Sequence, residues 1–243
     1  MKGSDEKAMA RRLIGLLDLT SLQDVMDDDM AALCERALAL DPLPAAICGW
    51  PDFAALSARR LAGTPVALAV VANFPKGTDE PEAVEAEVIA SLAAGADEID
   101  LVWDLRAWQE GRKARALVAV ERVASLTEGR ARLKVILETS AFEGRDDLPE
   151  AARACLEAGA DFLKTSTGKH GGGATPEAAR TLLEAIAEDG GKAGFKASGG
   201  IKTFADATLY LSLAEEILGE AWADPAHFRI GASSLLDDLL ARV

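Results

Sequence analysis

Two strand-like stretches of this sequence carry a lysine where an apolar side chain is expected. In DFLKTSTGK (161–169) Lys164 follows Phe162 and Leu163, and in GFKASGG (194–200) Lys196 follows Phe195. A third stretch, DEIDLVW (97–103), sets Asp100 between Ile99 and Leu101. Side chains alternate along a strand, so Phe162, Lys164 and Ser166 share a face, as do Gly194, Lys196 and Ser198, and Glu98, Asp100 and Val102. If those faces point inward, two ammonium groups and a carboxylate converge. Burial and a like charge both disfavour a protonated lysine. A neutral lysine amine attacks carbonyls and forms Schiff bases, and a nearby carboxylate can move protons, directly or through water. A lone strand lysine is as readily explained by snorkelling or a structural ion pair, because buried unpaired lysines are rare. Two lysines and an aspartate at equivalent strand ends point instead to chemistry. Lys134 also falls on a strand candidate, but near its start, and reads as a structural ion pair with Asp18 or Glu138.

The loops after the last three strand candidates have the makings of an anion site. Thr167-Gly168-Lys169 follows the first lysine strand and Gly199-Gly200 the second, while Gly231-Ala232-Ser233-Ser234 opens a helix. Glycines let backbone N–H groups approach an anion, and a helix N-terminus adds oriented donors. Metals are poorly supported. The histidines, His170 and His227, make no ligand spacing with Cys, Asp or Glu. Cys48 has no evident base partner, and the run DDD (27–29) reads as an exposed helix start. No metal or other cofactor is expected.

The elements that would position these residues follow a regular rhythm. Strand candidates are LLDLT (16–20), AAICGW (45–50), VALAVVAN (66–73), DEIDLVW (97–103), LKVILET (133–139), DFLKTST (161–167), GFKASGG (194–200) and FRIGA (228–232). Helical patterns such as EPEAVEAEVIASLAAG and PEAARTLLEAIAED separate them. Ala94-Gly95-Ala96-Asp97 recurs as Ala158-Gly159-Ala160-Asp161, each time closing a helix and opening a strand. Its glycine is the expected left-handed helix stop, so the repeat reads as a shared solution to one turn. Eight strands alternating with helices predict one (β/α)8 barrel over 1–243, with 1–12 as an N-terminal helical extension; an open doubly wound sheet is the alternative. In such a barrel, function sits at the carboxyl ends of the strands, and a phosphate site near strands 7 and 8 recurs.

Composition bounds the partners. The 243 residues are 49% hydrophobic and carry a formal charge of -14, which argues against nucleic acid and anionic membranes but not against a small anion in a locally positive pocket. Three widely spaced cysteines, Cys34, Cys48 and Cys155, do not form a disulfide framework. The N-terminal MKGSDEKAMARRL reads as neither signal peptide nor membrane span, so a cytoplasmic location is expected.

Taken together, ADFLKTSTGK, GFKASGGIKT, GADEIDLV, LKVILET, LLDLT, NFPKG and FRIGASSLL resemble the deoxyribose-phosphate aldolase family, in order from about residue 16 to residue 240. The resemblance implies that Lys164 is the Schiff-base nucleophile, that Lys196 lowers its pKa, and that Asp100 and Lys196 transfer protons. It implies phosphate binding by Gly168, Lys169, Gly199, Gly200, Ser233 and Ser234, and substrate contacts from Asp18, Thr20, Cys48 and Thr167. The implied substrate is a small phosphorylated sugar, 2-deoxy-D-ribose 5-phosphate, cleaved reversibly to D-glyceraldehyde 3-phosphate and acetaldehyde; the implied assembly is a homodimer. The chain departs from some relatives in Ala197-Ser198, in the glycine-rich HGGG (170–173), and in ending at Val243 without a tyrosine-bearing tail. Its single tyrosine, Tyr210, falls in a predicted helix. Rival readings are another Schiff-base aldolase or transaldolase on a phosphorylated sugar, and a non-catalytic phosphosugar-binding barrel.

Overall fold

The computed structural model describes residues 2–23 and 27–243. All eight predicted strands are present: β1 (Leu17–Thr20), β2 (Ala46–Gly49), β3 (Ala67–Ala72), β4 (Glu98–Val102), β5 (Arg132–Ile136), β6 (Phe162–Lys164), β7 (Gly194–Ser198) and β8 (Phe228–Ala232). Each pairs in parallel with the next, and β8 pairs back to β1, so the sheet closes into a (β/α)8 barrel rather than an open sheet. The helices are α1 (Lys2–Gly15), α2 (Asp27–Leu38), α3 (Ala54–Leu61), α4 (Pro81–Ala93), α5 (Leu105–Gln109), α6 (Lys113–Thr127), α7 (Leu148–Glu157), α8 (Pro176–Glu188), α9 (Phe204–Leu218) and α10 (Leu235–Leu240). Helix α2 opens on the DDD run as expected, with Asp28 and Asp29 exposed; the side chain of Asp27 lies outside the described residues. None of these helices is long and apolar enough to cross a membrane.

The apolar residues that made the strands legible point outward. Leu101, Val135, Leu163, Phe195 and Ile230 are fully buried in one core with Val120, Leu182 and Leu211 of the surrounding helices. Inside the barrel the two sides differ. β2 and β3 contribute a small apolar cluster of Ala46, Cys48, Ala69 and Val71, whereas β1, β4, β5, β6, β7 and β8 contribute charge.

The Ala-Gly-Ala-Asp repeat has a structural basis in both copies. Gly95 and Gly159 lie at φ 102° and 98°, and a Cβ there would stand 2.8 Å from Ala58 Cβ and 2.7 Å from Ala124 Cβ. The closing aspartates clamp a neighbouring strand: Asp97 accepts from the Leu68 N–H at 2.9 Å and Asp161 from the Leu133 N–H at 2.7 Å. The same turn thus sets the start of β3 and of β5.

Strand β6 is shorter than its predicted 161–167 and stops at Lys164. Beyond it, side chains reinforce what remains of the ladder, in which the Thr165 N–H donates to the Lys196 carbonyl at 3.1 Å. The Thr165 hydroxyl donates to the Ser198 carbonyl at 2.9 Å and accepts from the Ser198 N–H at 2.9 Å, while Ser198 Oγ donates to the Ser166 carbonyl at 2.6 Å. The hydroxyl residues after Lys164 therefore stitch the carboxyl ends of β6 and β7 together.

Candidate active site

Register brings the three lead residues to one place. Lys164 on β6 stands opposite Lys196 on β7, and Asp100 on β4 opposite Lys134 on β5. Asp100 is the hub. Its Oδ2 accepts from Lys164 at 2.6 Å and from Lys196 at 2.7 Å, and its Oδ1 accepts from Lys134 at 2.8 Å. The Cys48 thiol lies 3.8 Å from the same Oδ2; burial pushes that thiol's pKa up.

A second layer lies on the amino-terminal side of this hub. Lys134 also pairs with Glu98 at 2.5 Å and with Asp18 at 3.4 Å. Arg229 of β8 bridges Asp18 at 2.7 Å and Glu98 at 2.8 Å, and Lys196 reaches Asp18 at 2.5 Å. All seven charged groups are buried. The expected ion pair of Lys134 with Asp18 is present, and Glu98 and Asp100 are further partners; the alternative partner Glu138, just beyond the end of β5, is directed instead to Thr167.

The two lysines at the hub are not equivalent. Lys164 is pushed below the ordinary lysine range, first by burial and then by the Lys196 charge, against the pull of Asp100. Burial is also the largest effect on Lys196, but Asp100 and Asp18 together outweigh it and hold that ammonium firmly protonated. Asp100 feels burial most, yet Lys134, Lys164 and Lys196 overcome it and keep its carboxyl well below the usual range. Asp18 is held low in the same way by Lys196, Lys134 and Arg229 against its burial. The arrangement is a neutral-prone amine beside a fixed ammonium and a fixed carboxylate.

Above the hub, a cavity of about 280 Å³ opens at the carboxyl ends of β6, β7, β8 and β1. Thr20, Thr167, Gly168, Lys169, Gly199, Gly200, Ser233 and Ser234 line it. Gly168, Gly199 and Gly200 all occupy the left-handed region, and a Cβ on Gly199 would stand 3.0 Å from Gly173 Cα. Lys169 donates to the Leu22 carbonyl at 2.6 Å, across the mouth. The structure thus gathers all six candidate phosphate ligands, with Thr20 and Thr167, around one space. Asp18 and Cys48 lie apart from that space, fully buried in the barrel. The Thr20 hydroxyl donates to the Asp18 carbonyl at 2.8 Å. Tyr210, in α9, donates to the Ala174 carbonyl at 2.7 Å.

Sequence reasoning missed three residues. Glu138, a non-glycine residue at φ 55°, accepts from the Thr167 N–H at 3.1 Å and its hydroxyl at 2.5 Å. The Thr167 hydroxyl in turn accepts from the Lys169 N–H at 3.1 Å, so Glu138 shapes the rim of the cavity. Glu98 and Arg229 complete the inner layer. A signal existed for both: Glu98 shares its face with Asp100, and Arg229 is a charge inside an apolar strand. Among the described residues, no group of three or more His, Cys, Asp or Glu could hold a metal ion, and Cys34, Cys48 and Cys155 are free and buried.

Comparison with known proteins gives a consistent picture. Residues 12–241 match the model of the DeoC/LacD family aldolases. A Toxoplasma gondii protein provisionally named a deoxyribose-phosphate aldolase is similar at 29% identity, over 98% of this chain and 97% of that one, with a TM-score of 0.88. The tetrameric deoxyribose phosphate aldolase of Aeropyrum pernix is similar at 27% identity, over 99% and 94% of the two chains, with a TM-score of 0.80.

Proposed function

The chain belongs to the DeoC/LacD family of aldolases, and on that premise we propose that it is a class I enzyme cleaving 2-deoxy-D-ribose 5-phosphate reversibly to D-glyceraldehyde 3-phosphate and acetaldehyde. The observation that carries the reading is the shared Asp100 Oδ2, which accepts from both Lys164 and Lys196 inside the barrel. The glycine- and serine-lined cavity above them supports a phosphorylated substrate.

In this reading the Lys164 amine adds to the C1 aldehyde, and loss of water gives an iminium. The iminium is the electron sink for the C2–C3 bond. Removal of the C3 hydroxyl proton sends the electrons of that bond into a C1–C2 enamine and releases glyceraldehyde 3-phosphate as an aldehyde. Protonation of the enamine at C2 and hydrolysis then free acetaldehyde and regenerate the amine. Asp100, held ionised, is the proposed proton acceptor, and Lys196, held protonated, the proposed donor, each directly or through water. Lys169, the Gly168, Gly199 and Gly200 backbone, Ser233 and Ser234 are the proposed phosphate ligands, and Thr20 and Thr167 the proposed sugar contacts, with Asp18 and Cys48 packed behind them. Lys169 would exchange the Leu22 carbonyl for the phosphate. A cytoplasmic homo-oligomer, a dimer by the family resemblance, completes the proposal.

The test is acetaldehyde release from deoxyribose 5-phosphate, compared with cleavage of fructose and sedoheptulose phosphates. Turnover of the deoxy sugar above the others is expected. Release of no acetaldehyde from it, with cleavage of another sugar phosphate, would move the assignment to a different Schiff-base aldolase.

A further inference from the structure

We propose that Lys134, backed by Glu98 and Arg229, is a positioning residue of the reaction: its charge completes a balanced buried layer and so leaves Lys164 the one cation of this buried network without a counter-charge of its own. The inference rests on the reading of Lys164 as the carbonyl nucleophile.

Around Lys164 stand Asp100 and Glu98 from β4, Lys196 from β7, Lys134 from β5, Asp18 from β1, Arg229 from β8 and the Cys48 thiol from β2. Three carboxylates, Asp18, Glu98 and Asp100, face three committed cations, Lys134, Lys196 and Arg229. Lys134 touches all three carboxylates; Lys196 touches Asp18 and Asp100; Arg229 touches Asp18 and Glu98. Lys164 touches Asp100 alone, on an oxygen it shares with Lys196. A proton on Lys164 therefore makes a fourth positive charge against three negative ones. An uncompensated buried charge is strongly disfavoured, and Lys164 has the fewest contacts to lose.

Lys134 is not itself placed to attack. Its strand register puts Ile136, two residues further along, beside Lys164, so Lys134 sits deeper by about 6–7 Å at the usual rise of a strand. It is fully buried and held protonated: burial opposes its charge, but Asp100 and Glu98 outweigh that burial. Its part is played through Asp100 and the layer beneath.

The layer predicts opposite responses to the loss of opposite charges. Without Lys134, three carboxylates face two committed cations, and a protonated Lys164 restores balance; Lys164 then keeps its proton to higher pH. Without the Glu98 charge, two carboxylates face three cations, and Lys164 sheds its proton at lower pH. A residue that merely fills space would not move the two in opposite directions.

The experiment is the pH dependence of kcat/KM for deoxyribose 5-phosphate, and of borohydride trapping with acetaldehyde, in wild type, Lys134→Met, Lys134→Arg and Glu98→Gln. The acid limb is expected to move up by about one pH unit or more in Lys134→Met, which is about a tenfold loss at any pH below the limb. It is expected to move down in Glu98→Gln and to return towards wild type in Lys134→Arg. Limbs that stay at the wild-type position in both charge-removing variants, or that move the same way, would overturn the proposal. If Lys134→Met fails to fold, Glu98→Gln decides: a limb unmoved or raised overturns it. A wild-type enzyme that traps no adduct would instead remove the nucleophile assignment, and this proposal with it.

Discussion

Leu163 and Lys164 are adjacent in sequence and belong to different worlds. Leu163 faces outward into the packed shell of helices, with Val135, Phe195 and Ile230 on neighbouring strands. Lys164 faces inward, where Asp100, Lys134, Lys196, Glu98, Asp18 and Arg229 form one network of ion pairs. The outer face is held by burial of apolar area, a non-directional force roughly proportional to area, so volume and shape decide what fits. The inner face is held by a balance of charges, where each group depends on the sign of the others. The same eight strands carry a structural surface and a chemical one, divided by the alternation of side chains.

Substitutions on the two faces should separate these roles. The largest effect is expected from Lys164→Leu, which should bring turnover to background while leaving stability unchanged or raised, because it removes the surplus cation; a denaturation midpoint beside the assay checks both. Lys196→Met should behave differently. It deprives Asp18 and Asp100 of a buried partner and should cost about 3–5 kcal/mol of stability as well as activity. Equal stability losses in the two lysine variants would erase the distinction between them. On the outer face, Leu163→Ala should cost about 2–5 kcal/mol through lost burial and a cavity, yet the folded protein should keep the wild-type pH profile. A shifted acid limb in that variant would show that the faces are not independent. The smallest change is expected from Ser234→Ala at the rim. One lost hydrogen bond to an anion, about 1.5 kcal/mol, should raise KM for the phosphorylated substrate roughly tenfold with little change in kcat.

The outer face was the readable one. FRIGA, DEIDLVW and VALAVVAN announce strands by apolar runs, and their spacing with helices announces the barrel. Lys164, Lys196 and Asp100 were legible on the inner face because each interrupts such a run. Lys134 interrupts one too, and its pairing with Asp18 was legible; its pairing with Glu98 and Asp100 follows from the register of β4 against β5, which no local pattern reveals. Arg229 belongs to the same class: its carboxylate partners, Asp18 and Glu98, are 211 and 131 residues away. Glu138 was hidden differently. It follows the end of β5, and its left-handed backbone turns it toward Thr167, a conformation that sequence does not signal in a glutamate.

A lysine buried beside a shared aspartate is the proposed carbonyl nucleophile. Its most direct test is borohydride reduction of the protein in the presence of deoxyribose 5-phosphate, followed by peptide mapping. A reduced adduct on Lys164 is the predicted result. An adduct on Lys196, or none on folded protein that binds the sugar phosphate, would contradict it.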